Sequence, residues 1–167
     1  DYPVDSILST AVNLGDDAYV EVPLADGKQV VLYGVAYDRV FIGSNGYLTF
    51  TEGDTQNKES PENHFSIPRV SGLFDNLKPN DGGQIWYKQL DDRFVVTYHE
   101  VRVDGNFTND TASFQIEMFF DGRIAITWLN IEAFDGLVGI STGKGVPSEY
   151  KESDLSRYAP CIEPEGS

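Results

Sequence analysis

Turn signals punctuate this chain at short, regular intervals, and the runs between them are β-branched and aromatic. Tyr19-Val20-Glu21-Val22 alternates in polarity and stops at Pro23, and Ala25-Asp26-Gly27 makes the next turn. Gln29 to Tyr33 stops at Gly34, and Arg39 to Ile42 leads into Ser44-Asn45-Gly46, from which Tyr47 to Phe50 returns. Asn-Gly between apolar runs is the strongest short hairpin signal, because both central positions of a type I′ turn need positive φ. Asp121-Gly122 repeats it between Thr111–Phe120 and Arg123–Ile131. Gln84 to Leu90, Asp91-Asp92 and Arg93 to Val103 give a further strand, turn and strand, and Gly136 to Ser141 gives the last strand. No segment carries a 3.6-residue apolar period over three turns. About ten strands, spaced by about 10–14 residues and without helices, predict an all-β fold of two packed antiparallel sheets, a β-sandwich or jelly roll. Phe94-Val95-Val96 and Ile124-Ala125-Ile126 are continuous apolar runs and read as central strands covered on both faces.

The 167 residues suit one domain, with a core spanning about residues 14–142 and a polar tail from 143 to 167. Residues 51–65 break the strand pattern with a polar run and read as a long surface loop, of the kind that is often functional or mobile. No stretch is long and apolar enough to span a bilayer. Asp1-Tyr2-Pro3 is neither basic nor apolar, so no signal peptide is expected in this chain.

Charge and chemistry narrow the function. With 27 acidic and 12 basic residues the net charge is −15, which opposes binding to nucleic acid or anionic lipid. Cys161 is the only cysteine, so an internal disulfide and a multi-cysteine zinc site are excluded. There is no phosphate-binding glycine loop, no G-x-S-x-G elbow and no H-E-x-x-H. His99 and Glu100 alternate on one strand and cannot act on one side. The chain is therefore expected not to be an enzyme. A hydrolase would instead show a cleft holding a carboxylate of raised pKa.

Two binding chemistries are open. Sugar recognition needs aromatic faces ringed by polar groups; the candidates are Trp86, Tyr87, Tyr98 and Trp128, with Tyr33, Tyr37 and Tyr47 behind them, and Asn57, His64, Arg69 and Arg102 as a polar rim. Trp86 and Tyr87 must face opposite sides of their strand, and parity with Ile124 and Ile126 sends Trp128 inward. The loop from Asp75 to Gly82 offers Asp75, Asn80 and Asp81 as oxygen ligands for a structural calcium ion, although Asx-turns explain the same residues. Asn106-Phe107-Thr108 and Asn109-Asp110-Thr111 are sequons that mark an exposed segment.

Three strings taken in order resemble a known module: Val40 to Phe50 with its Gly43-Ser44-Asn45-Gly46; Arg69 to Pro79 leading into Gly82-Gly83; and Phe114 to Ile124 with Gly136 to Ser141. Together they resemble a β-sandwich accessory module of secreted bacterial multidomain proteins, hydrolases and surface proteins among them, and more distantly the NIDO domain of nidogen-type matrix proteins. The resemblance covers about residues 14–142. It implies a secreted, extracellular module with no catalytic residue. One expectation is a monomeric carbohydrate-binding module, tethered to the catalytic domain of a polysaccharide-degrading enzyme, requiring no cofactor beyond a structural calcium. The other is a structural or adhesive module with a protein partner. The first needs exposed, coplanar aromatics; the second predicts buried aromatics and a sheet edge used for association.

Overall fold

The computed structural model describes residues 1–105 and 109–161 and is a β-sandwich of thirteen antiparallel strands. One sheet has the order β1 (Thr10–Val12), β9 (Gln84–Gln89), β10 (Arg93–Val103), β11 (Thr111–Phe119), β12 (Ile124–Ile131), with β8 (Leu77–Lys78) pairing the end of β10. We call it the first sheet. The second has the order β13 (Leu137–Thr142), β7 (Pro68–Phe74), β6 (Tyr47–Thr49), β5 (Arg39–Gly43), β2 (Tyr19–Pro23). A separate hairpin, β3 (Val30–Leu32) and β4 (Val35–Tyr37), packs Val30 and Leu32 into the core. The chain changes sheets at both sides, from β1 to β2 and from β12 to β13, so each open side of the sandwich is framed by two edge strands.

The core follows the strand period. Phe94, Val96 and Tyr98 of β10, and Phe114, Ile116 and Met118 of β11, meet Val40, Ile42, Leu48 and Val70 of the second sheet. Tyr98 stacks on Phe114 at 4.6 Å and donates its hydroxyl to the Gly43 carbonyl at 2.6 Å, tying the sheets together. Gly72 is required here, since a Cβ would stand 2.5 Å from the Phe114 ring.

Hairpins form at Ser44-Asn45-Gly46 and Asp121-Gly122 as expected, but only the glycine of each pair has positive φ, so neither turn is type I′. The first needs its glycine: Gly46 has φ +82°, and a Cβ there would stand 1.8 Å from the Leu73 carbonyl oxygen. In the second, Phe119 N–H donates to the Arg123 carbonyl at 2.9 Å and Gly122 N–H to the Phe119 carbonyl at 3.0 Å.

One expectation is corrected and one is filled in. Phe94 to Val96 is central, but Ile124 to Ile126 lies in β12, the edge of its sheet. Its run is apolar because Ile124 and Ile126 face the core while Ala125, on the other face, is merely small. Residues 51–65 run over the surface as a long loop without strands, and they pack down as a roof. They hold one helical turn, α1 (Pro61–His64), whose N-cap Ser60 accepts from Asn63 N–H, and they bury His64, Arg69 and Ser71 against the outer face of the second sheet. The outer face of the first sheet has its own cover. Val4 exchanges two hydrogen bonds with the Gln115 amide, at 3.0 and 2.8 Å, and Gln115 donates to Thr97. This explains why polar Thr97 and Gln115 are fully buried on central strands. The tail is exposed through Cys161, with a 3₁₀ turn at Leu155–Arg157. Asn106-Phe107-Thr108 lies outside the described residues.

Candidate functional site

The structure scatters the expected sugar-binding residues over four places. Trp86 lies on the outer face of the first sheet, edge-on to Tyr2 at 6.2 Å and tilted against His99 at 5.6 Å, while Tyr2 shares a hydrogen bond with His99 Nδ1. Tyr87 faces the other way, as parity required, and stacks on Phe94 at 5.6 Å. Tyr98 is wholly buried, and burial pushes its hydroxyl pKa far up. Trp128 turns inward opposite Phe114 and donates its indole N–H to the Gly72 carbonyl at 2.8 Å, but its edge position leaves it 41% exposed. No exposed coplanar pair exists among these four.

The polar rim is likewise structural. Arg69 is fully buried on the outer face of the second sheet. Its guanidinium pairs with Asp54 at 2.7 Å, donates to the His64 and Asn63 carbonyls, and lies 4.3 Å above the Tyr47 ring and 5.0 Å from that of Phe74. The roof of residues 51–65 thus supplies the carboxylate and carbonyls that this buried cation bonds, with only its Nη1 left without a hydrogen bond. His64 bonds Ser71 Oγ through Nδ1 at 2.9 Å, and its Nε2 faces the Ile140 backbone without a hydrogen bond of normal geometry. Burial holds its pKa down at about 4, so it is neutral at pH 7. Asn57 donates to Asp17 at 2.9 Å, and Arg102 donates to Asn109 at 2.8 Å on a different loop. Sequence reasoning missed the hub that joins these parts. Asn45 donates to Asp17 Oδ1 and to the Gln56 carbonyl, and accepts from Leu77 N–H.

The three candidate calcium ligands are placed differently from one another. Asp75 is buried, with Oδ1 accepting from Asn76 N–H at 2.6 Å and Oδ2 without a partner, whereas Asn80 and Asp81 sit on an exposed turn closed by the Asp81 N–H to Lys78 carbonyl bond. Among the described residues, no group of three or more His, Cys, Asp or Glu side chains is placed to hold a metal ion. Burial raises the Asp75 pKa to about 6; the Asn76 N–H bond opposes this, and Glu59, Asp135 and Asp104 add to the rise. A raised carboxylate is what a hydrolase would show, but this one is sealed from solvent.

The open sides of the sandwich remain as surfaces. Between β1 and β2 runs a groove of about 320 Å³ lined by Thr10, Asn13, Tyr19, Glu21 and Tyr87, among others. The opposite side is framed by β12 and β13; these strands and their connection carry the exposed Trp128, Leu129, Phe134 and Ile140. A family model described as NIDO related matches residues 4–156. The chain belongs to the NIDO-related family. Its match extends past the 14–142 expected from the sequence and takes in both the segment that carries Val4 and most of the described tail. No curated protein and no solved structure matches the chain. Membership in the NIDO-related family points to an extracellular module.

Proposed function

We propose that this NIDO-related chain is a secreted, non-catalytic module with a structural or adhesive role, working through contacts with protein. The observation that supports this best is the fate of the aromatic side chains. Tyr98 fills the core, Trp86 lies edge-on against Tyr2, and Trp128 is spent on a bond between the sheets, so these three candidates do not form one exposed platform. The absence of a catalytic role is supported by Asp75, whose raised carboxyl lines neither the groove between β1 and β2 nor the shallow one beside the β3–β4 hairpin.

A second reading has one observation in its favour. The groove between β1 and β2 combines Tyr19 and Tyr87 with Thr10, Asn13 and Glu21 and holds no lysine or arginine, a lining suited to a neutral oligosaccharide. On this reading the chain is the carbohydrate-binding accessory of a polysaccharide-degrading enzyme, raising the local concentration of its catalytic domain on substrate. Affinity electrophoresis through gels containing a panel of soluble polysaccharides, with and without calcium, separates the two. Unaltered mobility throughout is the expected result. Retardation by one polysaccharide that is lost in Tyr19→Ala or Tyr87→Ala would overturn the structural reading in favour of the glycan-binding one.

A further inference from the structure

The four sheet edges of this sandwich are protected very unequally. β1 is only three residues long, and β2 carries Glu21 and ends on Pro23, all devices that blunt an edge. β13 is bulged between Leu137 and Gly139, which interrupts its ladder. β12 is bulged too, at Leu129, where Trp128 faces Phe114 and Asn130 faces Ser113, but its run from Ile124 to Trp128 keeps an unbroken register. It runs for eight residues, Ile-Ala-Ile-Thr-Trp-Leu-Asn-Ile, without a charge or a proline, in a chain of net charge −15.

The hydrogen-bond phase of β12 follows from its turn. Phe119 and Arg123 are a bonded pair, so Ala125 and Thr127 face β11, and Ile124, Ile126 and Trp128 turn their backbone N–H and C=O groups to the open edge. Among the described residues no strand pairs with that edge. Leu129 on β12 itself, Phe134 in the connection to β13 and Ile140 on β13 are exposed by 46%, 85% and 39%.

The geometry points to a second copy of this chain as the occupant: β12 pairs antiparallel with its own twofold mate, joining the two first sheets into one continuous sheet. This replaces the monomer expected from the sequence. It rests on the structural or adhesive reading, and names its partner. Two features select a copy over an unrelated strand. An isologous antiparallel pair lets the same three residues satisfy each other's outward backbone groups, and it brings the apolar patches of the two chains to the same side. Two chains of this charge also repel each other over most of their surfaces, and the uncharged β12–β13 side is where contact costs least electrostatic energy.

Sedimentation of the purified chain over a concentration series, in about 0.15 M and about 1 M NaCl, tests this, since the higher salt shortens the screening length from ~8 to ~3 Å. The expected result is a mass that doubles from 18.6 kDa with concentration and does so more readily at high salt. Thr127→Glu, which in the register pairing Ile126 with its own mate sets the two new carboxylates diagonally across the joint, should abolish the doubling, while Thr10→Glu on β1 should not. Amide exchange at Ile124, Ile126 and Trp128 should slow as the dimer forms. A single mass at every concentration and salt, or a dimer in which those three amides exchange as they do in the monomer, would overturn the proposal. A monomer that also binds no polysaccharide sinks the self-pairing alone; retardation by a polysaccharide sinks the structural reading itself.

Discussion

Asp75 supplies a sharp test of the electrostatics. Its Oδ2 is buried without a hydrogen bond, and its pKa is raised from 3.8 to about 6, mainly by burial. A carboxyl whose folded pKa lies above its unfolded value contributes stability that is complete below the unfolded pKa and is lost as pH rises through the folded one. The window therefore runs from about pH 4 to about pH 6. A rise of about two pKa units at about 1.4 kcal/mol each makes the ionised form cost about 3 kcal/mol at pH 7. Asp75→Asn keeps an acceptor for Asn76 N–H and removes the charge. It should raise stability by up to about 3 kcal/mol at pH 7, or about 6–12 °C in Tm for a chain of this size, and change little at pH 3.5. Thermal unfolding in chelator at both pH values measures this. A lower Tm for Asp75→Asn at pH 7 would refute the reasoning. The calcium expectation is checked in the same assay: a bound cation would raise the Tm of the wild type on calcium addition and leave Asp75→Asn unmoved.

Further outcomes follow from other sites. His64 works in the opposite sense, because its pKa is depressed from 6.5 to about 4; its contribution is lost as pH falls through that interval, so His64→Gln should expose the falling slope of Asp75 and Asp75→Asn the rising slope of His64 in urea titrations between pH 4 and 6. Gly46→Ala should cost more than about 3 kcal/mol, since positive φ and the Leu73 carbonyl both oppose a Cβ; chemical denaturation giving a loss under about 1 kcal/mol would contradict that geometry. Trp128→Phe removes the indole bond to Gly72 and should cost about 1–2 kcal/mol by the same method.

Local signals were legible in this sequence and sheet order was not. The hairpins at Asn45-Gly46 and Asp121-Gly122 are written in turn residues, and parity alone set Trp86 and Tyr87 on opposite faces and turned Trp128 inward. β1, β4 and β8 escaped notice because two or three residues give no period to read. Ile124 to Ile126 looked central because an apolar run marks burial without saying which strand lies beside it, and that neighbour is set by contacts distant in sequence. The polar run 51–65 gave no hint that it would cover Arg69, although a strand carrying Arg69 and Ser71 between apolar residues had to find partners for them. Tyr98 and Arg69 had the right residue types for a glycan site, but only the fold shows that both are enclosed.

The Asn45 side chain has a kinetic consequence. It joins three segments, lying 28, 11 and 32 residues away at Asp17, Gln56 and Leu77. The full set of bonds is complete only once all three segments are in place, and non-local contacts of this kind carry the loop-closure cost that slows their formation. Interactions absent from the transition state govern how fast a protein comes apart rather than how fast it assembles. Asn45→Ala should therefore steepen the loss of native protein in unfolding time courses while its refolding arm stays close to that of the wild type, making this one amide a latch on the lifetime of the folded module.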